Sequence, residues 1–344
     1  MQQSLFELPQ TKTQLYQPMS KIQLVSQEEK SSPKVKYQVK NWSAYNQALV
    51  NRGNITFYFD ESVLRDWYDD GPVQRGAQFV YSDLCIETLM MLKVLFKLAY
   101  RQTQGFAMSL LSLLEIDDLA VPCYTQINRR AAALGIQSFD IPPSGPLHIA
   151  IDSTGVKIYG EGEWKVRKHG YSKRRTWRKL HLGVDPKTGF IHAHTLTEND
   201  VDDGSQLEPL LEQIEEPVEE VYADGAYDME KCWDYLHEQG IHPLIPTREN
   251  AVYWADENGE LLDYPRNKVL EQIEEQGRKQ WKQRSGYHQR SLSETAMYRF
   301  KMIHGPALFS RKLSTQKVEA TIKVKVLNMM TALGMPIAEK IETA

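Results

Sequence analysis

The chain has 344 residues, of which 41% are hydrophobic and 25% are charged, an ordinary composition for a soluble globular protein of two or three domains. Its largest apolar run, residues 84–99, is broken by charged side chains, which excludes a membrane span there; no signal segment opens the chain, so we expect a cytoplasmic protein. The net charge of −4 by itself disfavours a nucleic-acid partner, but the charges are unevenly distributed along the chain.

The first part of the chain predicts an arm, a strand and three helices. Residues 1–40 are rich in Gln, Ser and Lys with little apolar periodicity, which predicts a flexible N-terminal arm. The β-branched and aromatic residues 55–59 predict a short strand. Three helices are then predicted, opened by Ser82, Thr103 and Pro122.

The third of these helices is polar and basic, and it includes Arg129 and Arg130. A helix, a short turn and a helix rich in Thr, Gln, Asn and Arg are typical of a helix-turn-helix DNA reader. A small helical bundle with an exposed basic helix fits the same pattern, and the pattern alone does not separate the two. We expect residues 41–141 to form a helical DNA-binding domain, with these two arginines as candidate DNA contacts.

After the linker at residues 142–146 the pattern changes to strands. Three antiparallel strands, then helix, strand, helix and strand, is the order of a ribonuclease-H-like fold, although other mixed α/β folds share part of it. The predicted fold class is therefore α/β, a ribonuclease-H-like mixed sheet with flanking helices, preceded by a helical DNA-binding domain. The predicted strands are residues 147–151, 179–184, 190–196, 218–223 and 242–246, and the predicted helices among them are residues 206–214 and 229–238.

The predicted catalytic domain covers residues 147–336 and is interrupted once. Residues 249–277 are polar and acidic, which predicts an insertion after the fifth strand. A long helical stretch, residues 279–303, is predicted to follow it.

Three separated carboxylates stand in settings suited to a metal. Asp152 and Asp224 each end an apolar strand, where an acid can project from the edge of the sheet into a site. Glu294 lies on the later helical stretch. Two acids at strand ends and one on a helix can converge on a pair of Mg²⁺ ions, the arrangement that carries out in-line phosphoryl transfer on DNA.

The surroundings of Glu294 fit this interpretation. Tyr287, Glu294 and Lys301 are spaced by seven, so a helix would place them along one stripe, and Arg290 lies four residues before Glu294. A carboxylate beside Arg and Lys is expected to stay ionised, which favours metal binding. Each acid alone has a simpler explanation, because Asp-Ser-Thr and Asp-Gly start turns and a solvated helix often carries Arg–Glu pairs. The three acids together favour the metal site.

These residues carry a resemblance to a known family. Tyr287, two residues, Arg290, three residues, Glu294, six residues and Lys301 resemble the signature of the insertion-sequence DDE transposases. Further segments are similar to the insertion-sequence-five group of that family, and the resemblance spans about residues 41–336. These segments are residues 41–50, 177–182, 224–228 and 326–330.

The resemblance implies a ribonuclease-H-like catalytic core with Asp152, Asp224 and Glu294 as the metal-binding triad. It implies that Tyr287, Arg290 and Lys301 contact the DNA of the transposon end. We expect two Mg²⁺ ions, with Mn²⁺ able to substitute. The expected partners are double-stranded DNA, both as terminal inverted repeats and as target, and a second copy of the chain, since two ends must be cut together. A nucleoid-associated cytoplasmic enzyme is expected.

A basic segment lies between the first two predicted strands. From residue 164 to residue 184 there are eight Lys or Arg and no acid, interleaved with aromatic residues. Basic groups can follow phosphates while aromatic rings stack on a displaced base. A solvated basic hairpin with aromatics packed in the core explains the same pattern. The candidate DNA contacts of this segment are Lys173, Arg174, Arg175, Arg178 and Lys179.

Two other functions remain open from the sequence. One is a ribonuclease-H-like nuclease that cleaves without joining strands, which a strand-transfer assay would distinguish. The other is a DNA-binding repressor with an inert α/β domain, which cleavage of labelled end DNA with Mg²⁺ or Mn²⁺ would exclude. We rank the transposase first, because the acidic triad and two basic regions are jointly expected only there.

Overall fold

The described residues of this protein separate into two compact units, one within residues 41–337 and one at the chain ends, of which residues 36–40 and 338–341 are described. The computed structural model describes residues 36–72, 75–76, 79–136, 141–143, 145–158 and 177–341. In the smaller unit, strand β1 (Lys36–Val39) pairs antiparallel with the strand Ala338–Ile341. Residues 1–35 of the predicted flexible arm lie outside the described residues. The end of the arm that is described forms strand β1.

The N-terminal part of the larger unit is helical, as predicted. Ser82 is confirmed as an N-cap, because its hydroxyl oxygen accepts a hydrogen bond from the Cys85 N–H at 3.0 Å. The next helix begins at Tyr100, three residues before the predicted start at Thr103. The helices are α1 (Trp42–Asn51), α2 (Glu61–Arg65), α3 (Asp83–Leu95), α4 (Tyr100–Leu113) and α5 (Tyr124–Ala131).

The strand predicted at residues 55–59 is wrong. Ile55–Phe57 form a 3-10 turn, which begins where the Asn54 side chain accepts a hydrogen bond from the Thr56 N–H at 3.1 Å. Tyr58 and Phe59 are buried in the core that the helices share. Their aromatic rings therefore pack between helices, and the segment does not pair with a strand.

A mixed sheet forms the rest of the larger unit, and its strand order confirms the predicted fold class. The strands are β2 (Leu147–Ile158), β3 (Trp177–Val184), β4 (Ile191–Glu198), β5 (Val218–Tyr222), β6 (His242–Leu244) and β7 (Ala307–Leu308). The order in the sheet is β4-β3-β2-β5-β6; β2 pairs antiparallel with β3 and parallel with β5, and β7 pairs with the end of β2. Three antiparallel strands joined to two parallel ones in this order make a ribonuclease-H-like sheet.

Helices cover both faces of the sheet. The helices are α6 (Leu207–Leu211), α7 (Glu230–Glu238), α8 (Pro265–Gln276), α9 (Arg278–Arg284), α10 (Ser291–His304) and α11 (Leu313–Ala332). On one face, Ile149 and Ile151 of β2 are buried with Trp233 of α7. On the other face, Leu182 of β3 is buried with Phe300 of α10. Alternate residues of β2 therefore point to opposite helical layers.

Helix α11 contributes to two cores. Its Ile322 and Val326 are buried among the N-terminal helices, whereas Val324 and Leu327 are buried against the sheet. The predicted helical and catalytic domains therefore share one compact unit. At 20 residues α11 is long, but no helix in the described part of the chain is both long and apolar enough to cross a membrane.

The long helical stretch predicted for residues 279–303 is interrupted. Gly286, with a φ of 73°, follows α9 and adopts the left-handed conformation that favours glycine. A 3-10 turn, Tyr287–Arg290, comes next and leads directly into α10. Arg290 is consequently placed at the start of α10 and not inside a continuous helix.

The segment predicted as an insertion follows β6 and contains α8. Its Arg266 is buried and donates from Nε to Asp228 Oδ1 at 2.8 Å. Asp228 Oδ2 also accepts the Arg248 N–H at 2.9 Å. These bonds fasten the segment to the loop that follows β5.

Candidate active site

Asp152 lies within β2 and not at its end, which corrects the predicted placement. Pairing with the parallel strand β5 stops at Ala150, whereas pairing with β3 continues, with Asp152 opposite Leu182. The carboxylate therefore emerges at the level where β5 has ended. Burial raises the pKa of Asp152, and the positive charge of Arg290 offsets part of that rise.

Asp224 follows β5 and caps a turn. Its Oδ1 accepts the Ala226 N–H at 2.8 Å, which opens the 3-10 turn Gly225–Tyr227. The alternative that Asp-Gly starts a turn is thus correct for this residue. Capping does not remove it from the site, because the negative charge of Asp224 helps to raise the pKa of Asp152. The charge of Asp224 therefore acts on the carboxylate of Asp152.

Arg290 lies between two of the three predicted acids. Its Nη1 donates to Asp152 Oδ2 at 2.7 Å, and its Nη2 donates to the carboxylate of Glu294 in the first turn of α10. The charge of Asp224 acts on the same guanidinium. The fold therefore joins Asp152 and Glu294 through one positive charge, to which Asp224 contributes by electrostatics.

The donor chemistry of this cluster fits a divalent cation. Carboxylate oxygens are the ligands that Mg²⁺ prefers, and the guanidinium marks a position where the acids already accept positive charge. Within the described residues, however, no three carboxylate, His or Cys side chains lie close enough to hold a metal ion together. Arg290 separates Asp152 from Glu294, so the acids could share an ion only after this side chain moves.

Tyr287 and Lys301 border the same cluster, although they do not lie on the single helical stripe that was predicted. Tyr287 belongs to the 3-10 turn, is 7% exposed, and packs its ring 5.9 Å from that of Trp281. Burial raises the pKa of its hydroxyl. Lys301 of α10 donates from Nζ to the Thr154 hydroxyl of β2. Both side chains are therefore placed beside the acids.

Two residues at the site were not predicted. Tyr227 is 1% exposed, and its hydroxyl has no hydrogen-bond partner among the described residues. Burial, followed by the charges of Asp203, Asp152 and Asp224, raises its pKa. Thr154 lies two residues after Asp152 on the same face of β2. That two-residue spacing was the signal in the sequence that could have found Thr154.

The basic segment is described only in part. Arg178 donates from Nε to Gln316 Oε1 at 3.0 Å, and Lys179 forms an ion pair with Asp203 at 3.0 Å. Both side chains hold β3 to its neighbours. The other three predicted contacts lie outside the described residues: Lys173, Arg174 and Arg175.

The two arginines of α5 differ in their surroundings. Arg130 donates to Asp83 Oδ1 at 2.6 Å and to the Tyr81 carbonyl at 2.9 Å, and its guanidinium lies 3.7 Å from the centre of the Phe79 ring. Arg129 is exposed. Arg130 therefore braces the helices, while Arg129 is available to a partner.

Comparison with known proteins places these observations in a family. Residues 143–329, more than half of the chain, match a family model described as "Transposase DDE domain", and residues 50–161 match a second model with the same description.

Two solved transposase structures are also similar to this chain. The cryo-EM structure of the piggyBac transposase synaptic complex with hairpin DNA is 8% identical over 86% of this chain and 76% of that one, with a TM-score of 0.38. The Drosophila P element transposase strand transfer complex is 13% identical over 55% of this chain and 47% of that one, with a TM-score of 0.30. The fold assignment rests on the strand order of this chain's own sheet.

Proposed function

The chain belongs to the transposases with a DDE domain, and from that premise we propose that it cleaves the ends of an insertion element and joins the freed 3′-OH to target DNA. The observation that carries this proposal is the convergence of Asp152 and Glu294 on Arg290, with the charge of Asp224 acting on the same guanidinium. This side chain joins Asp152 of a central strand to Glu294 of a later helix.

In the proposed active state Asp152, Asp224 and Glu294 would hold two Mg²⁺ ions. When bound there, divalent cations lower the pKa of water and stabilise the attacking and leaving oxygens of an in-line phosphoryl transfer. β2 and the capped turn after β5 supply two rigid acids. Glu294, whose side chain is 56% exposed, supplies the third from the first turn of α10 and is the most free to adjust.

Arg290 has two roles in this scheme. Without DNA it neutralises Asp152 and Glu294. With DNA, its fork of N–H donors suits a phosphate oxygen pair as well as it suits carboxylates. Transfer of the guanidinium from the acids to the element-end backbone would open the space that the cations need.

Lys301 and Tyr287 would position the DNA. Among the described residues Lys301 is bonded only to a neutral hydroxyl, that of Thr154, so its charge remains available to a phosphate. Tyr287 is held by packing against Trp281, so its hydroxyl presents a fixed donor beside Arg290. Neither residue needs to form a covalent bond with DNA, because water and then the 3′-OH act as nucleophiles.

Arg129 of α5 and the basic residues of 173–179 are proposed as further contacts along the element end. The proposal includes two copies of the chain on paired ends, since both ends must be cut together. We further propose that the chain belongs to the insertion-sequence-five group, because four of its segments resemble that group.

Cleavage and joining are tested separately. Duplex DNA carrying the inverted repeats that flank the gene is incubated with the protein and Mg²⁺, and 3′-OH ends and joined products are resolved on a denaturing gel. Cleaved ends together with joined products support the transposase. Cleaved ends without joined products, given intact target DNA, favour the nuclease. Binding without cleavage favours the repressor.

A further inference from the structure

A small cavity lies between α3, the end of α10 and α11, away from the acidic site. Its volume is about 10 Å³. Polar or charged side chains contribute most of its wall, although the surrounding core is apolar. Its lining includes Lys93 and Lys97 from α3 and the turn after it, His304 from α10, and Glu319 and Lys323 from α11.

The carboxylate at the cavity is already satisfied. Glu319 is 1% exposed and forms an ion pair with Lys323 at 2.9 Å. It also accepts the N–H groups of Phe309 and Ser310 at 3.0 and 2.8 Å. The Lys323 ammonium also donates a hydrogen bond to the Ala307 carbonyl at 2.8 Å. The carboxylate therefore divides its one negative charge between Lys323, which it contacts, and Lys93.

Lys93 is the second of these cations. It is 6% exposed, and within the described part of the chain its ammonium has no hydrogen-bond or ion-pair partner; it lies 5.0 Å from the centre of the Tyr100 ring. Its opposite charge is that of Glu319, which it shares with Lys323. Burial is costly to a charged ammonium and lowers the pKa of Lys93, while the charge of Glu319 opposes that lowering and the charge of Lys323 adds to it. The face of the Tyr100 ring compensates for part of the cost of burial, but it does not neutralise the charge as an anion would.

His304 is the second unsatisfied group at the same cavity. It is 2% exposed, and neither ring nitrogen has a hydrogen-bond partner among the described residues. Burial, helped by the charge of Lys323, lowers its pKa to about 3, so the ring is neutral and carries one N–H donor. Buried polar groups of this kind are normally paired.

We propose that this cavity binds a single monatomic anion of the halide class, chloride in the cell, between the Lys93 ammonium and the His304 N–H. Lys97 at the rim and Lys323 add positive charge, so the three lysines exceed the one carboxylate before the anion binds. The anion would link α3 to the ends of α10 and α11 and so would stabilise the folded unit.

Size selects the ligand class. A cavity of this volume holds about one water-sized particle, so phosphate and sulfate, which have several heavy atoms, do not fit. Between chloride and water, charge decides: water satisfies the hydrogen bonds of His304 but adds no negative charge where three lysines share one carboxylate.

Crystals of the full chain soaked in bromide test the site directly. An anomalous peak between Lys93 Nζ and the His304 ring is expected. Electron density at that position without anomalous signal would mean a water molecule and would overturn the proposal, as would an empty cavity.

Thermal unfolding provides a second test at constant ionic strength, with chloride replaced by gluconate, an anion too large for the cavity. Wild type is expected to melt about 2–4 °C higher at a chloride concentration tenfold above its dissociation constant. Lys93→Met should lose this difference, whereas Lys317→Met, an exposed lysine on α11, should keep it. Equal chloride dependence in wild type and Lys93→Met would contradict the site.

Discussion

Arg290 Nη1 lies 2.7 Å from Asp152 Oδ2, and the same guanidinium also binds Glu294. An arginine at the start of α10 thus occupies the space between two acids that are proposed to hold cations. Because one guanidinium cannot neutralise the acids and bind DNA with the same donors, we expect cation binding and DNA binding to be coupled through this side chain. The coupling is reciprocal: DNA that withdraws Arg290 should raise the affinity for cations.

Replacing Arg290 tests that coupling without any catalytic readout. Arg290→Met should raise the affinity of the DNA-free protein for Mn²⁺ by about tenfold or more, the equivalent of ~1.4 kcal/mol, because the acids lose their internal cation. Binding is measured by electron paramagnetic resonance of free Mn²⁺. Arg284→Met, on the exposed surface of α9, is the matched control and should leave the affinity unchanged. An unchanged affinity in Arg290→Met would mean that the guanidinium does not compete with cations.

Lys301 is expected to contact a phosphate. Lys301→Met should weaken binding of element-end duplex and reduce the slope of log affinity against log salt by about 1, because one fewer counterion is released. Fluorescence anisotropy across a salt series measures both. Lys312→Met, exposed just before α11, should retain the wild-type slope. If Lys301→Met retained that slope too, its ammonium would be assigned to the Thr154 contact alone.

Stability should fall as the pH is lowered below about 6.5, and His181 should contribute. This ring is fully buried, and burial lowers its pKa from 6.5 to about 4. Between those values the unfolded chain binds a proton that the folded chain excludes, so the folded state loses up to about 1.4 kcal/mol per pH unit as pH falls. Urea unfolding from pH 7 to pH 4 should show a shallower pH dependence in His181→Gln. His242→Gln, at an exposed position, should follow wild type; parallel curves for His181→Gln and wild type would refute the assignment.

The buried pair of Asp228 and Arg266 should be essential to the fold. Asp228→Asn leaves the buried guanidinium uncompensated and should cost about 3–5 kcal/mol in the free energy of unfolding, measured by urea denaturation. Asp263→Asn removes a carboxylate that is 86% exposed and paired with Lys268, and it should cost far less than Asp228→Asn. Equal costs for the two variants would show that burial does not set the strength of this pair.

Patterns with a strong period predicted the fold well. The apolar runs around Ile149 and Val221 are buried on both faces of the sheet, so the sequence predicted them as central strands. Ser82 predicted the start of its helix, because serine is a common N-cap residue. Residues 55–59 misled because β-branched and aromatic residues also fill helical cores. The break at Gly286 was missed because a single glycine inside a helical pattern does not show whether its φ is positive.

The site was predictable in its acids but not in its arrangement. The spacing of Arg290 and Glu294 predicted their contact, whereas the bond from Arg290 to Asp152 joins parts of the chain whose approach depends on the whole sheet. Tyr227 was missed for the same reason: its hydroxyl meets the acids only after the turn that Asp224 caps has formed.

The most direct test of the account is cleavage of element-end DNA by Glu294→Gln beside end binding by the same protein. Gln keeps the size of the side chain and its contact with Arg290 but removes the charge that would hold a cation. The account predicts that cleavage with Mg²⁺ is lost while anisotropy shows specific end binding within about threefold of wild type, less than ~0.7 kcal/mol. Asp152→Asn and Asp224→Asn should behave alike. Wild-type cleavage by Glu294→Gln would contradict the assignment of this acid to the catalytic triad.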